Sequence, residues 1–394
     1  MAEHCAWIHQ AVAPTALVSD RREPVRDRIE KLYGGRVTLY NSGRSALQHA
    51  LRRIWQSRPL GRSARVAVPS FICACVPQKI VKCGFEPVYY DLLPDLTPSG
   101  EAAIEAARSG VAAILYPHLY GLVGDTAALQ AFCQAEGIPF IEDCAAAFAL
   151  TGSDGRLAGV GAAFAIFSFQ EGKTIAAGSG GALLEDPAAV QYVPDTSIVP
   201  WSRREEWALA AGKFSYLVRK VWRDFGWRLQ QIVGQFDDGL AEKAQDQVRP
   251  ISAVDARLIL AQWETWDFRR QRKLEIVARY QSRLMGTEVG MPQFKEGIYV
   301  HRLFVEVVPP SLSVAQAREA IERIRSFFRA QGIMVQKPYQ PQHLDPRLAG
   351  LVPHDLAWTG RYAGSLVEVP TQTTLQDSQI DYVCDCLKRS QELI

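Results

Sequence analysis

A chain of 394 residues with 48% hydrophobic and 22% charged side chains has ordinary globular composition, and enough length for two or three lobes, which excludes wholesale disorder. Its 44 basic and 42 acidic side chains leave a formal net charge of +2, without the concentrated basic face that duplex nucleic acid requires. No run approaches the roughly 18 to 20 apolar residues that cross a bilayer. The opening "MAEHCAWIHQ" has no basic region leading into an apolar stretch, so no signal peptide is expected.

In chain order, the first 190 residues alternate between two periods. "RVAVP" (65–69), "EPVYYD" (86–91), "VAAILYPH" (111–118) and "IPFIED" (138–143) are short apolar runs that read as strands. Helix-like stretches lie between them: 45–55, 75–84, 98–110 and 125–137, the last three ending at a glycine suited to a C-cap. Such alternation predicts a mainly parallel sheet covered by helices on both faces. Residues 205–236 then read as one amphipathic helix, rich in tryptophan, with Phe214, Leu217, Val218, Val221, Trp222 and Phe225 on its apolar face. Packing against protein is the expected role of that face, ahead of a membrane surface. A long helix from 252 to 284 leads into an α+β lobe with strands at 299–308 and 365–370 and helices at 313–332 and 375–390. The expected division is 1–250, a large α/β domain interrupted by the 205–236 insertion, and 251–394, a smaller α+β domain.

The eight cysteines stand at 5, 73, 75, 83, 133, 144, 384 and 386, without zinc-finger spacing. No metal site is expected, and reduced thiols fit a cytoplasmic chain.

Two residues carry the chemistry. The strand "IPFIE" delivers Asp143 to the carboxyl edge of the sheet, where ligands of open α/β folds bind, and "AAFAIFSF" leads to Lys173 in "FSFQEGKTIAAGSGG" (167–181). A carboxylate and an amine at one edge suit a cofactor with a cationic ring nitrogen and an aldehyde carbon, which describes pyridoxal 5'-phosphate. Ser42, Gly43 and Ser45 precede a helix in "NSGRSAL", an anion site if the phosphate lies there and a plain N-cap otherwise. Ser168 offers a further hydroxyl. A Walker-type phosphate loop is not spelled anywhere in the chain.

In this order and spacing the chain resembles the DegT/DnrJ/EryC1/StrS aminotransferases across roughly residues 25 to 390. "SGRSAL" is similar to the family's S-G-T-A-A-L, "ILYPHLYGLVGD" to V-I-P-V-H-L-Y-G-x-x-x-D, and "IEDCAAAFA" to I-E-D-A-A-Q-A-H-G. "FSFQEGKTIAAGSGGALL" is similar to S-F-x-x-x-K-x-L-x-x-G-E-G-G. The resemblance implies a type I aspartate aminotransferase-like fold with a shared active site in a homodimer. It makes Lys173 the Schiff-base lysine, Asp143 the partner of the pyridinium nitrogen, and Ser168, Gly43 and Arg44, beside Ser45, the holders of the phosphate. The implied reaction moves an amino group, with glutamate as donor, to a nucleotide-linked keto sugar or related intermediate by a ping-pong route. Lysine at 173 also sets the chain apart from the sugar dehydratases of the family, where histidine stands there.

The departures are as informative. Ala146 stands where the family carries glutamine, Phe148 where it carries histidine, Arg44 for the loop threonine and Ser179 for the glutamate of G-E-G-G. Cys73 falls where an aromatic residue stacks on the ring, unless Phe71 takes that place. "QVR" (247–249) replaces N-Y-R, the stretch that carries an asparagine to the neighbouring subunit's phosphate. His118, His301, Arg302 and His343, the last within a P-x-P-L-H-like "KPYQPQHL", are the candidate acceptor contacts, each with a structural role as the competing reading. Two alternatives follow: a family member acting on a cyclitol, carrier-bound or apolar ketone, and a protein that binds the cofactor without turnover.

Overall fold

The computed structural model describes residues 20–57, 63–221, 247–292 and 298–394, with the side chains of 214–221 and 314 set aside. The elements, in chain order, are α1 (Arg22–Tyr33), β1 (Arg36–Tyr40), α2 (Gly43–Ser57), β2 (Arg65–Pro69), α3 (Cys75–Lys82), β3 (Glu86–Tyr90), α4 (Gly100–Ala107), β4 (Ala113–Pro117), α5 (Ala127–Glu136), β5 (Phe140–Asp143), β6 (Phe164–Ser168), β7 (Gly181–Glu185) and α6 (Arg203–Val221). They continue with α7 (Ala253–Glu264), α8 (Trp266–Leu284), β8 (Leu303–Glu306), α9 (Val314–Ala330), α10 (Ala357–Ser365), β9 (Leu366–Val369) and α11 (Asp377–Ser390). The architecture is α/β, and the alternating segment forms parallel ladders as its continuous apolar strands require.

The chain packs as two compact units, each drawn from two stretches of sequence. One joins the residues up to Ala50 with Ala163–Trp266. In it β7 runs antiparallel to both β1 and β6, so Tyr40 and Ser168 each pair with Gly181. The loop from 169 to 180 therefore leaves and returns at paired strand ends, and it carries Lys173.

The other unit joins Leu51–Ala162 with Asp267–Ile394. Parallel ladders link β3 to β2, β2 to β4 and β4 to β5, over a core of Val88, Tyr90, Ile114, Leu129 and Phe140 among others. The helices α3, α4 and α5 give way to Gly84, Gly110 and Gly137, all at positive φ, as the glycine punctuation predicts. An antiparallel pair, β8 with β9, and the helices α8 to α11 complete this unit.

Two expectations are adjusted, and a third lies partly outside the described residues. The single helix of 252–284 breaks at Thr265, whose hydroxyl donates to the Gln262 carbonyl (3.2 Å) and closes α7 before α8 begins. Four elements, α1, β1, β7 and α10, add to those read from sequence. Of the 205–236 helix, α6 supplies Arg203–Val221; its apolar face from Phe214 onward lies outside the described side chains.

Candidate active site

In the first unit, strand ends converge on one spot. A Cβ on Gly181 would lie 2.3 Å from the Gly43 nitrogen and from the Ser42 carbonyl carbon, so β7 can start there only with hydrogen as its side chain. Gly43 opens α2 and is itself hemmed in: a Cβ would meet the Phe167 carbonyl and Ser168 Cβ at 3.1 Å, with Ser168 Oγ at 3.5 Å. Thus Gly43 and Ser168, far apart in sequence, lie side by side. Ser42 caps the helix through its Oγ, which accepts the Ser45 N–H (3.2 Å). Ser45 is buried and its hydroxyl donates to Asn41 Oδ1 (2.7 Å), so it secures the loop from within. Arg44 is half-buried on the first turn. The "QVR" stretch runs along the same loop: Asn41 donates from its backbone to the Arg249 carbonyl (2.9 Å) and from Nδ2 to the Gln247 carbonyl (3.0 Å).

Lys173 is half-buried and follows Gly172 at φ 79°. Its loop folds on itself, with the Lys173 N–H donating to Gln170 (3.2 Å) and the Ala177 N–H to Phe169 (2.7 Å). The opening of an α-helix with serine hydroxyls, an arginine and a glycine too cramped for a side chain is a donor set suited to a phosphate dianion.

In the second unit, β5 ends at Asp143, half-buried, whose carboxylate accepts the Ala145 N–H (3.0 Å) and whose carbonyl accepts the His118 N–H (3.0 Å). Side chains alternate along a strand, so Glu142 faces the other way, into the core. There it accepts from Thr126 Oγ1 (2.9 Å), Gln130 Nε2 (3.1 Å), Arg156 (3.1 Å) and the Gly159 N–H. His118 lies on this inner side, 1% exposed, with Nε2 3.6 Å from the Glu142 carboxylate and Cys144 within the same buried cluster. Burial works to raise the Glu142 pKa, but His118, Arg156 and Thr126 more than offset it and hold the carboxyl at about 2. His118 thus faces the core, away from solvent.

The other candidates cluster around Tyr120, which adopts φ 56°, uncommon for an aromatic residue. Its carbonyl takes the N–H of His301 (2.7 Å) and of Arg302 (3.2 Å), and a Cβ on Gly121 would strike His301 at 2.8 Å. The His301 ring meets Tyr299 Oη at 3.2 Å. Arg302 is committed to Glu368 (2.8 Å) and lies over the Tyr120 ring, while His343 Nδ1 meets the buried Ser70 hydroxyl at 2.6 Å. Burial pushes the His343 imidazole below its ordinary pKa, with Asp91 opposing. Cys73 Sγ sits 3.0 Å from Cys75 Sγ and is half-exposed, whereas Phe71 is fully buried edge-on to Tyr120 and Tyr339. Ala146 is half-buried and Phe148 fully buried.

Tyr339 is the residue that sequence reading missed. Its ring stacks on Tyr120 at 5.0 Å and 16°. Burial raises its phenol, with Cys73 and Asp143 adding to the rise and Arg302 opposing it. The only local signal was its place in "KPYQPQHL", read there for the histidine alone.

With this geometry in view, the comparisons define a class and then a family. The fold is that of a putative sugar aminotransferase from Streptococcus pneumoniae, solved in PLP and PMP forms, at TM-score 0.73 and 18% identity over 99% of this chain and 97% of that one. The chain belongs to the DegT/DnrJ/EryC1/StrS aminotransferase family, which matches residues 31–198 and 241–388. It is 30% identical over 240 residues to the L-glutamine:2-deoxy-scyllo-inosose aminotransferase of Micromonospora echinospora, a match spanning 61% of this chain and 51%, about half, of that relative. It is 23% identical over 357 residues to the GDP-perosamine synthase of Vibrio cholerae, covering 89% and 85% of the two chains. Among the described residues no helix is long and apolar enough to cross a membrane.

Proposed function

We propose that the chain is a pyridoxal phosphate-dependent aminotransferase that moves an amino group onto a keto group of a nucleotide-linked sugar or a close chemical relative. The observation that carries the reading is the contact of Gly43 with Ser168 at the mouth of the lysine loop. It joins the expected phosphate donors to the strand that leads to Lys173 within one compact unit. The bound cofactor supplies an electron sink for the carbon that loses its proton. Lys173 would hold it covalently, and its amine, once free, would carry the proton at the donor carbon. Asp143 keeps the ring nitrogen protonated, its own geometry set by the Ala145 N–H. Gly43, Arg44 and Ser168 hold the phosphate at the start of α2. The residue at 146 offers only a methyl group where the family carries an amide, so orientation of the ring rests more on Asp143.

Glutamate is the donor we expect, with ping-pong kinetics; the name of the Micromonospora relative specifies L-glutamine, so both belong in the assay. That relative's cyclitol substrate also favours a second reading, a carbocyclic ketone as acceptor. A homodimer with shared sites is part of the proposal. The test is visible absorbance of the purified chain with added pyridoxal phosphate, before and after each donor, followed by nucleotide-linked keto sugars and keto cyclitols. A band that bleaches with donor and returns with acceptor supports the reading. A band that no amino donor alters leaves a cofactor-binding protein without turnover.

A further inference from the structure

The arm of the lysine loop that follows Lys173 is held from outside by two helices. Gln262 of α7 takes the Ala176 N–H on Oε1 (3.0 Å) and returns a bond from Nε2 to its carbonyl (2.6 Å). Lys213 of α6 donates to the Ala177 carbonyl (2.9 Å) and reaches the Ser179 hydroxyl (3.3 Å). Ser179 in turn donates to Asp255 (2.6 Å), which also receives the Ser252 hydroxyl (2.5 Å) and pairs with Lys213. Asp255 is 1% exposed. Gly178, between the two held residues, sits at φ 87°, and a Cβ there would come 3.5 Å from Lys213 Nζ.

Two features make this cluster more than a packing detail. A lysine taken out of water is costly unless its charge is paired and all its donors are used; Lys213 meets both conditions only by engaging the lysine loop and Asp255. Its helix also lies outside the family match, which stops at residue 198 and resumes at 241. Ser179, by contrast, stands where the family pattern carries glutamate.

We propose that Lys213 is a positioning residue for Lys173: from a helix outside the family match it fixes residues 177–179, where this chain carries Ser179 in place of the pattern's glutamate. Asp255 supplies the negative charge instead. The role rests on the function proposed above, because it acts only through the amine of Lys173.

The test is amide hydrogen exchange on the chain without added cofactor, joined to the visible band after pyridoxal phosphate is added. The variants are Lys213→Met, the double Lys213→Met/Asp255→Asn, which removes both buried charges together and so guards against misfolding, and Trp207→Ala on the exposed face of α6 as control. Exchange at residues 173–179 is expected to rise about tenfold or more in both Lys213 variants and to stay put in the control. The pH midpoint of the cofactor band should shift by about one unit, and turnover should fall about 10- to 100-fold, chiefly in kcat, as misplacement of a reacting group predicts. Unchanged loop exchange, or a rise spread evenly over β6 and β7, overturns the proposal while a normal wild-type band leaves the function standing. A wild type that takes up no pyridoxal phosphate, with loop exchange raised as expected, removes the function and leaves the clamp.

Discussion

At the strand ends that carry the lysine loop the chain is located by close packing, with side chains reduced to hydrogen at Gly43 and Gly181. Around Asp143 it is located by charge: the residue next door, Glu142, faces inward to Arg156, His118 and Thr126, and so pins the strand end that presents Asp143 outward. The strand ends of the first unit are therefore sensitive to added volume, and the end of β5 in the second is sensitive to charge. Steric location gives little freedom to the surrounding atoms. Electrostatic location tolerates changes in shape but depends on protonation.

The largest effect bears on the comparison itself. On the proposed function, Lys173→Ala should abolish the cofactor's visible band and slow amino transfer by at least about a thousandfold, since the proposal gives that one amine both the covalent hold and the proton. Single-turnover absorbance with glutamate measures it; a variant that keeps its rate would mean that another amine does the work. Next come the glycines. Gly181→Ala places a methyl 2.3 Å from backbone atoms that cannot yield, whereas Gly43→Ala meets its nearest neighbours at 3.1 Å. Overpacking predicts a loss of about 3 kcal/mol for the first and about 1 kcal/mol for the second. Calorimetry should rank them in that order, and the reverse ranking would sink the backbone-contact account.

Glu142 tests the strand end at Asp143. Its folded pKa, about 2, lies below the ordinary 4.5, so it contributes stability at neutral pH that is fully present above about pH 4.5. That contribution is lost as the pH falls through the window from about 4.5 to about 2, and amounts to roughly 3 kcal/mol. Glu142→Gln should lower the melting temperature at pH 7 and flatten the acid limb of the stability curve. Parallel acid limbs for the two proteins would show that the inward carboxylate is not what holds β5.

How far the sequence reveals these devices depends on how local each one is. β2 was legible to the residue, because a buried parallel strand is a continuous apolar run. Lys173 and Asp143 were singled out because each follows such a run. Helix α10 was not: "AWTGRYAGS" contains two glycines and lacks a cap of its own. Its first N–H groups are accepted by Asp91, 267 and 268 positions away at 2.9 and 2.8 Å. The inward place of His118 was hidden for the same reason, since its partner Glu142 is on a neighbouring strand. The Lys213 clamp lay in a segment that read simply as an amphipathic helix.

The smallest effect belongs to Tyr339, and it is the most discriminating. Its ring is held by the stack on Tyr120, and its N–H by the Tyr120 hydroxyl (3.1 Å), so the ring stays in place without the phenol oxygen. Tyr339→Phe then removes only the phenol hydroxyl. If that hydroxyl meets the acceptor, KM for the acceptor should rise about threefold to tenfold, a cost near that of one neutral hydrogen bond. The glutamate half-reaction and the melting temperature should hold steady. If the melting temperature falls while KM stays constant, the hydroxyl is part of the packing, and Tyr339 joins the volume-sensitive class that the glycines define.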